Sequence, residues 1–345
     1  MKFKKILSIV LSATLLFSLT ACSSGSTEEK QPDTNKESAT EEPEVEAEKA
    51  EQTVLKVGIP TAPPALPILR MMESQALGEN VSIEIEIWNE PETLIAMVQD
   101  PSFDYFAFPL TVVSTLFNKG MDVRLMNVNT WGVNYFLTSD PDFKTWSDLK
   151  GKTIYIPLQS SPPDALTQYF LDEAGLVVGE DVEIIYASPA EVAAMVSSGE
   201  ATYATMFEPQ VTMALSKNPD MRIALDIEDE WMRVNDTESI VPNAGFGTTQ
   251  TTIDENPELT AQFNQAYEEA LQWCIENPEE IGALAEKHLG LPAKVITKAI
   301  PTMGLTYKTA VDADYELDMF YEMLNEFDPK MIGGKLPTEE MYYVE

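Results

Sequence analysis

The pattern of apolar and polar positions changes regularly along the chain from residue 54 onwards. Short apolar or alternating runs, typical of strands, are followed by longer runs with apolar residues three and four positions apart, which are typical of helices. This alternation favours parallel sheets covered by helices on both faces, and it therefore predicts an α/β fold. The predicted strands are residues 54–59, 81–88, 103–108, 123–128, 133–137, 153–156, 182–186, 201–206, 223–225 and 243–252.

Helix starts are marked by prolines and by capping residues. Ser188 and Glu191 form a capping-box pattern, and Asn256 and Asn277 each precede a proline that suits a first helical turn. Further helices are predicted to begin near Pro63, Pro91, Pro109 and Pro209. The helices with the clearest boundaries are residues 161–174, 188–199, 257–276, 278–288, 292–300 and 312–327.

The strand–helix pattern starts again after residue 140, which predicts two doubly wound α/β lobes. We expect the chain to cross between them near Leu137 and to return near Gly245. Lobe 1 then consists of residues 54–138 plus 245–345, and lobe 2 of residues 139–244. The C-terminal helices are expected to pack on lobe 1.

The N-terminus has the order of a secretion signal. Three lysines within the first five residues precede an apolar run at residues 6–19, which is too short for a membrane-spanning helix. The sequence Leu-Thr-Ala-Cys ending at Cys22 resembles the bacterial lipobox. This resemblance implies a signal peptide at residues 1–21 and a lipid-modified Cys22 that anchors an extracytoplasmic protein to the cell membrane. An ordinary secretion signal with a chance cysteine is the alternative.

The segment 22–53 is expected to be a disordered acidic tether. It is rich in Ser, Thr, Glu and Pro, so it cannot bury enough apolar surface to offset the entropy of ordering. The formal net charge of the chain is −35, which argues against nucleic-acid partners and against electrostatic binding to anionic lipid.

Cysteine and histidine usage narrows the possible chemistry. The chain has two cysteines, Cys22 and Cys274, so a disulfide scaffold is excluded, and the helical apolar pattern around Cys274 predicts a buried thiol. The single histidine, His288, lies in a predicted helix rather than in a catalytic constellation. We therefore expect no catalytic residues, no metal site and no cofactor.

Several short motifs resemble a known family. They are residues 57–60 (VGIP), 149–154 (LKGKTI), 160–164 (SSPPD), 169–176 (YFLDEAGL) and 207–209 (FEP). In this order they resemble the nitrate/sulfonate/taurine and thiamine-pyrimidine group of ABC-transporter substrate-binding proteins, over residues 54–345. The resemblance implies the type II periplasmic-binding-protein fold, with a ligand cleft between two lobes that close on a small solute. It also implies a monomer that delivers this solute to the transmembrane subunits of an ABC permease.

The predicted binding residues lie where strands end and helices begin, because ligands of open α/β sheets bind at the carboxyl ends of the strands. Alternatives remain open for several of them: N-capping for Ser161, a favourable first-turn charge for Asp164, and core packing for Trp131 and Phe108. The predicted ligand-binding residues are Pro60, Thr61, Ala62, Phe108, Thr111, Trp131, Gly132, Gln159, Ser160, Ser161, Asp164 and Glu208.

The charges in these loops indicate which class of solute they could bind. The loops contain Asp164 and Glu208 but neither Lys nor Arg, and a buried anion beside unpaired carboxylates would be costly. A neutral or cationic nitrogen heterocycle, such as a pyrimidine-like thiamine precursor, therefore fits better, with Glu208 as a ligand contact. The alternatives are a sulfonate, taurine or nitrate held at helix N-termini, and a ligand-sensing protein that docks on a membrane receptor. An enzyme like the pyrimidine synthases that share the fold would need a histidine and a cysteine-rich iron motif. With only His288, Cys22 and Cys274, this chain lacks the residues for that chemistry.

Overall fold

The computed structural model describes residues 52–345, so the predicted signal peptide, Cys22 and most of the tether lie outside the described residues. The strands are β1 (Thr53–Pro60), β2 (Val81–Trp88), β3 (Tyr105–Pro109), β4 (Val123–Trp131), β5 (Asn134–Thr138), β6 (Thr153–Pro157), β7 (Glu183–Ala187), β8 (Tyr203–Phe207), β9 (Arg222–Asp226), β10 (Pro242–Thr249) and β11 (Leu305–Thr309). The α-helices are α1 (Ala65–Ser74), α2 (Pro91–Gln99), α3 (Leu110–Asn118), α4 (Pro162–Glu173), α5 (Pro189–Ser198), α6 (Gln210–Lys217), α7 (Ile227–Asn235), α8 (Gln250–Glu255), α9 (Pro257–Glu276), α10 (Pro278–Leu289), α11 (Ala293–Ala299) and α12 (Asp314–Phe327). Among the described residues, we find no helix with the length and apolar character needed to cross a membrane.

The strands form two sheets, which confirms the predicted α/β class. Their orders are β11-β4-β10-β3-β1-β2 and β7-β6-β8-β5-β9. Pairing is parallel among β1, β2 and β3 and among β6, β7 and β8. It is antiparallel where β10 pairs with β3 and β4, where β11 pairs with β4, and where β5 pairs with β8 and β9. The sheets are therefore mixed rather than parallel throughout, because parallel neighbours need a helical crossover, and β5 and β10 enter their sheets directly from the other one.

The chain passes from the first sheet to the second between Trp131 and Asn134, and it returns before Pro242. These points lie a few residues earlier than the exchange expected near Leu137 and Gly245. The strand β5 is part of the second sheet. Gly132 adopts a positive φ of 49° in the first passage. This left-handed backbone favours glycine, and a Cβ there would lie 2.6 Å from Oε2 of Glu228, so a larger residue would displace that carboxylate.

Most predicted helices and strands are present. The capping box of Ser188 and Glu191 opens α5, which ends at Gly199 with a left-handed backbone. Two elements were not predicted from the sequence. One is α7, whose buried apolar residues are Ile227 and Trp231, and the other is the short, half-buried strand β11. Residues 250–252, predicted as strand, begin α8.

Cys274 lies where its pattern predicts, inside the core beneath the first sheet. This core also contains the stacked rings of Tyr105 and Phe263, whose centroids are 3.9 Å apart. Burial raises the pKa of the Cys274 thiol far above its usual value. Cys274 is thus a packing residue of α9.

Candidate ligand-binding cleft

A cavity of about 540 Å³ lies at the carboxyl ends of strands from both sheets. From the first sheet, Pro60 ends β1 opposite Trp88 at the end of β2, and Phe108 comes from β3. From the second sheet, Asn134 at the start of β5 pairs with Phe207 at the end of β8. The cavity therefore occupies the position that the strand-end rule predicts.

The helices that begin at this cavity carry prolines at their first positions. Pro63 and Pro64 precede α1, Pro162 and Pro163 form the first turn of α4, and Pro189 opens α5. Proline has no backbone N–H, so these helix starts offer fewer hydrogen-bond donors than ordinary N-termini do. The wall that they form is largely apolar.

Five of the predicted binding residues line the cavity. They are Pro60, Thr61, Ala62, Phe108 and Ser161. Gln159 lines an adjoining recess that shares Leu158 and Ser188 with the cavity. The other six lie outside the linings of both spaces: Thr111, Trp131, Gly132, Ser160, Asp164 and Glu208.

Trp131 is buried, and its Nε1 donates a hydrogen bond to the carbonyl of Thr306 at 2.8 Å. Its place at the end of β4 agrees with the core-packing alternative. Thr111 also has a partner within the protein, because its Oγ1 donates to the carbonyl of Ser160 at 2.7 Å. This bond joins α3, beside the first sheet, to the loop after β6 in the second.

Asp164 is 1% exposed and braces the loop that contains Ser160. Its carboxylate accepts hydrogen bonds from the Ser160 N–H at 2.7 Å, the Gln168 Nε2 at 2.7 Å and the Tyr186 hydroxyl at 2.9 Å. Burial raises the pKa of Asp164, while these hydrogen bonds lower it. Ser160 itself has a φ of 63°, so Asp164 holds a backbone turn that serine rarely adopts.

Glu208 is buried as well, and three donors of the protein engage its carboxylate. The Thr212 N–H lies 3.0 Å from Oε2, while the hydroxyls of Thr212 and Thr302 lie 2.9 and 3.0 Å from Oε1. Burial raises the pKa of Glu208, and the hydrogen bonds from Thr212 and Thr302 lower it. This position favours a structural tie between α6 and the turn after α11 over the ligand contact that the sequence suggested.

Most of the other lining residues escaped the sequence reasoning, among them the buried polar residues Trp88, Asn134 and Gln210. Trp88 could have been found, because it ends a predicted strand like the residues that were chosen. Asn134 interrupts an apolar run, and Gln210 follows the Phe-Glu-Pro motif at residues 207–209. Their importance depends on hydrogen bonds that the sequence does not reveal.

The charged residues of the lining are Glu90, Glu191 and Lys217, and all three are exposed. The Glu191 carboxylate accepts hydrogen bonds from the N–H and hydroxyl of Ser188 at 2.9 and 2.7 Å. The buried part of the lining is therefore uncharged. Among residues 52–345, we find no cluster of three or more His, Cys, Asp or Glu side chains that could hold a metal ion.

The middle of the chain also matches a family model. Residues 78–281, more than half of the chain, match the family model described as NMT1/THI5 like. The chain belongs to the NMT1/THI5-like family. A Brucella abortus protein that is described as a candidate binding protein is 25% identical to this NMT1/THI5-like chain over 189 residues, which are 54% of the chain and 57% of the relative. The chain thus matches just over half of the length of this relative.

Solved structures share the fold of this NMT1/THI5-like protein. An ABC transporter structure from Parabacteroides distasonis matches with a TM-score of 0.71 and 21% identity, over 85% of this chain and 100% of that one. The periplasmic aliphatic sulphonate binding protein SsuA from Escherichia coli matches with a TM-score of 0.66 and 19% identity, over 85% of this chain and 93% of that one. At these identities the likeness concerns the fold.

Proposed function

We propose that this protein captures a small solute in the cleft between its two sheets and delivers it to the transmembrane subunits of an ABC importer, without catalysing a reaction. The observation that carries this proposal is a largely apolar cavity to which both sheets contribute residues at their strand ends. The names of the Brucella abortus relative and of the Escherichia coli structure point the same way.

The two sheets are proposed to mark two lobes that close on the solute. The exchange points of the strands favour lobe boundaries at residues 132–133 and 236–241, slightly earlier than the sequence suggested. The Nε2 of Gln210 donates to the Thr61 carbonyl at 3.0 Å, which joins α6 of one lobe to the loop after β1 of the other. Such contacts would be made on closing and lost on opening.

The proposed solute is a small nitrogen heterocycle of the pyrimidine type. The uncharged buried lining and the proline-rich helix starts support this class, because a buried anion needs free N–H groups or cations, and Lys217, the cation of the lining, is exposed. The second candidate is a sulfonate, and the likeness to SsuA favours it.

An extracytoplasmic location is also proposed, with lipid on Cys22 and the acidic segment 22–53 as a tether. The support comes from the lipobox-like sequence and from the composition of that segment. A membrane receptor in place of the permease is the alternative partner. Cross-linking the protein in intact cells and identifying the captured membrane protein distinguishes a permease from a receptor.

A thermal-shift screen tests the proposed function. The compounds are pyrimidines, thiamine precursors, taurine, alkylsulfonates and nitrate. A ligand at 100 times its dissociation constant adds about 2.7 kcal/mol to the free energy of unfolding, which raises Tm by about 4–5 °C for a protein of this size. We expect a pyrimidine to give the largest shift. A sulfonate or nitrate as the strongest ligand would keep the binding function but contradict the heterocycle, and no shift with any compound would contradict both.

A further inference from the structure

The loop between β6 and α4 contains two residues with an uncommon backbone. Among residues 52–345, four non-glycine residues have a positive φ, and two of them, Leu158 at 59° and Ser160 at 63°, lie in this loop. The other two, Gln75 and Asp236, cap the ends of α1 and α7, where a left-handed residue is common. Leu158 and Ser160 are not at a helix end, and L-residues adopt this region at a cost in strain. The loop of residues 158–160 is therefore strained.

This strained loop lies at the cleft. Leu158 lines both the cavity and the adjoining recess, and Ser161, the next residue after the loop, also lines the cavity. Strained backbone persists only where the surrounding structure enforces it, and such places are often functional. The contacts that enforce this conformation therefore indicate what the loop does.

Two side chains from different sides of the cleft hold the backbone of Ser160. Its N–H donates to the carboxylate of Asp164 at 2.7 Å, and Asp164 lies in the first turn of α4, beside the second sheet. Its carbonyl accepts from the hydroxyl of Thr111 at 2.7 Å, and Thr111 lies in α3, which follows β3 of the first sheet. The φ and ψ angles of a residue set the directions of its N–H and its carbonyl, so these two bonds together fix the left-handed turn. One of the two crosses the cleft.

We propose that the loop of residues 158–160 is a conformational switch of the cleft, which Thr111 holds in its strained form when the two sheets close on a solute and which relaxes when they part. This inference rests on the proposed solute-binding function. Opening removes the Thr111 bond, and the loop is then free to take an ordinary backbone and to move Leu158 away from the cavity wall. The strain opposes closure, so it favours release of the solute.

The variant that tests this inference is Ser160→Gly. Glycine adopts a positive φ without strain, and Ser160 is exposed, so the change relieves strain and removes little packing. Ser160→Ala is the first control, because it removes the hydroxyl and keeps the strained Cβ. Gln159→Gly is the second, because it adds the flexibility of glycine one position earlier, at an exposed residue whose φ is not positive. Thr111→Val, alone and with Ser160→Gly, completes a double-mutant cycle.

The first measurement is the calorimetric affinity for a pyrimidine and for an alkylsulfonate. We expect Ser160→Gly to bind the compound that the wild-type protein binds about three- to tenfold more tightly, because the closed form no longer carries the strain of this residue. Ser160→Ala should stay within about twofold of the wild type, and Gln159→Gly should not bind more tightly than the wild type. In the Thr111→Val background, the gain from Ser160→Gly should fall below about twofold, because the loop is then no longer held in its strained form.

The second measurement needs no solute. Pulsed electron paramagnetic resonance gives the distance between spin labels on Glu84→Cys in β2 and Glu200→Cys after α5, both at exposed positions beside different sheets. The full chain carries Cys22→Ser, and the buried Cys274 is protected from labelling. We expect Ser160→Gly to raise the ratio of the shorter to the longer distance about threefold, and Ser160→Ala to leave it unchanged.

The outcomes separate this inference from the proposed function. If a compound binds and Ser160→Gly has the affinity of Ser160→Ala, the switch is overturned and the binding function stands. If the gain from Ser160→Gly is as large in the Thr111→Val background, the strain is not coupled to the bond across the cleft, which also overturns it. If neither compound binds, the label distances decide. A shift towards the shorter distance in Ser160→Gly alone then supports the switch, and equal distances in all variants overturn it.

Discussion

At the scale of single residues, a buried carboxylate beside a binding cleft can either contact the ligand or accept hydrogen bonds from the neighbouring loop. Asp164 has the type and position of a ligand contact, since it lies in the first turn of a helix at the cavity. Its oxygens are nevertheless engaged by the Ser160 N–H, Gln168 and Tyr186. Its effect on binding should therefore run through the conformation of the Ser160 loop.

Asp164→Ala is expected to lower the free energy of unfolding by about 2–4 kcal/mol, because it leaves three donors, two of them on half-buried side chains, without their acceptor. Urea denaturation followed by circular dichroism measures the change. Asp172→Ala is the control on the same helix, where the side chain is exposed, and it should change stability by less than about 0.5 kcal/mol. Equal effects of the two variants would contradict the bracing role.

At the scale of elements, α7 connects to both passages between the sheets. Its Glu228 accepts hydrogen bonds from the Val241 N–H at 3.1 and 3.2 Å, and it fills the space beside Gly132. Burial raises the pKa of Glu228 to about 7; the Val241 N–H lowers it, and the charges of Asp226 and Asp229 raise it further. One carboxyl group thus touches both connections about which the lobes would move.

This raised pKa gives a pH dependence of stability with a definite sign. Between its ordinary value of 4.5 and about 7, the folded protein binds a proton that the unfolded chain has released, so this carboxyl lowers stability as pH rises through that range. In the wild type, this titration should lower the free energy of unfolding by about 2–3 kcal/mol between pH 4.5 and pH 8. In Glu228→Gln that decrease should be absent. Urea denaturation across this range measures it.

Glu238→Gln is the matched control for this experiment, because Glu238 is exposed and close in sequence. Its stability should follow the wild-type pH profile. A Glu228→Gln profile parallel to that of the wild type would show that Glu228 titrates normally in the folded protein.

At the scale of the whole molecule, few hydrogen bonds link the two sheets across the cleft. The side-chain bonds that join elements of different sheets include those of Thr111 to Ser160, Gln210 to Thr61, Thr302 to Glu208, Tyr135 to Thr302 and, beside the passages, Asn134 to Asn243. Their small number suits the proposed clamp, because a ligand can control the balance only when the free energies of the open and closed forms differ by no more than a few kcal/mol.

Thr111→Val is expected to weaken solute binding about fivefold, because it removes one bond between the proposed lobes worth about 1 kcal/mol and so favours the proposed open form. The measurement is the calorimetric affinity for the strongest ligand of the thermal-shift screen. Thr115→Val is the matched control on the same helix, since Thr115 donates to the Met331 carbonyl at 3.3 Å without crossing the cleft. If both variants weaken binding equally, the Thr111 bond does not control closure.

The sequence by itself determined most of the helices and strands, the α/β class and the position of the cavity at the strand ends, because periodicity, prolines and caps act locally. It could not locate the first passage between the sheets, since Val133 to Leu137 has the same apolar pattern in either sheet.

Only the tertiary structure decided the roles of the polar residues. The Thr302 hydroxyl bonds to Glu208 from 94 positions away in the chain, and the amide of Asn134 meets Asn243 from 109 positions away. Whether a buried polar atom is satisfied depends on such distant partners, and Oε1 of Gln210 is left without one among the described residues. The local pattern of apolar and polar residues therefore predicts where the cleft lies. Long-range hydrogen bonds, which the sequence does not show, decide which of its residues remain available to a ligand.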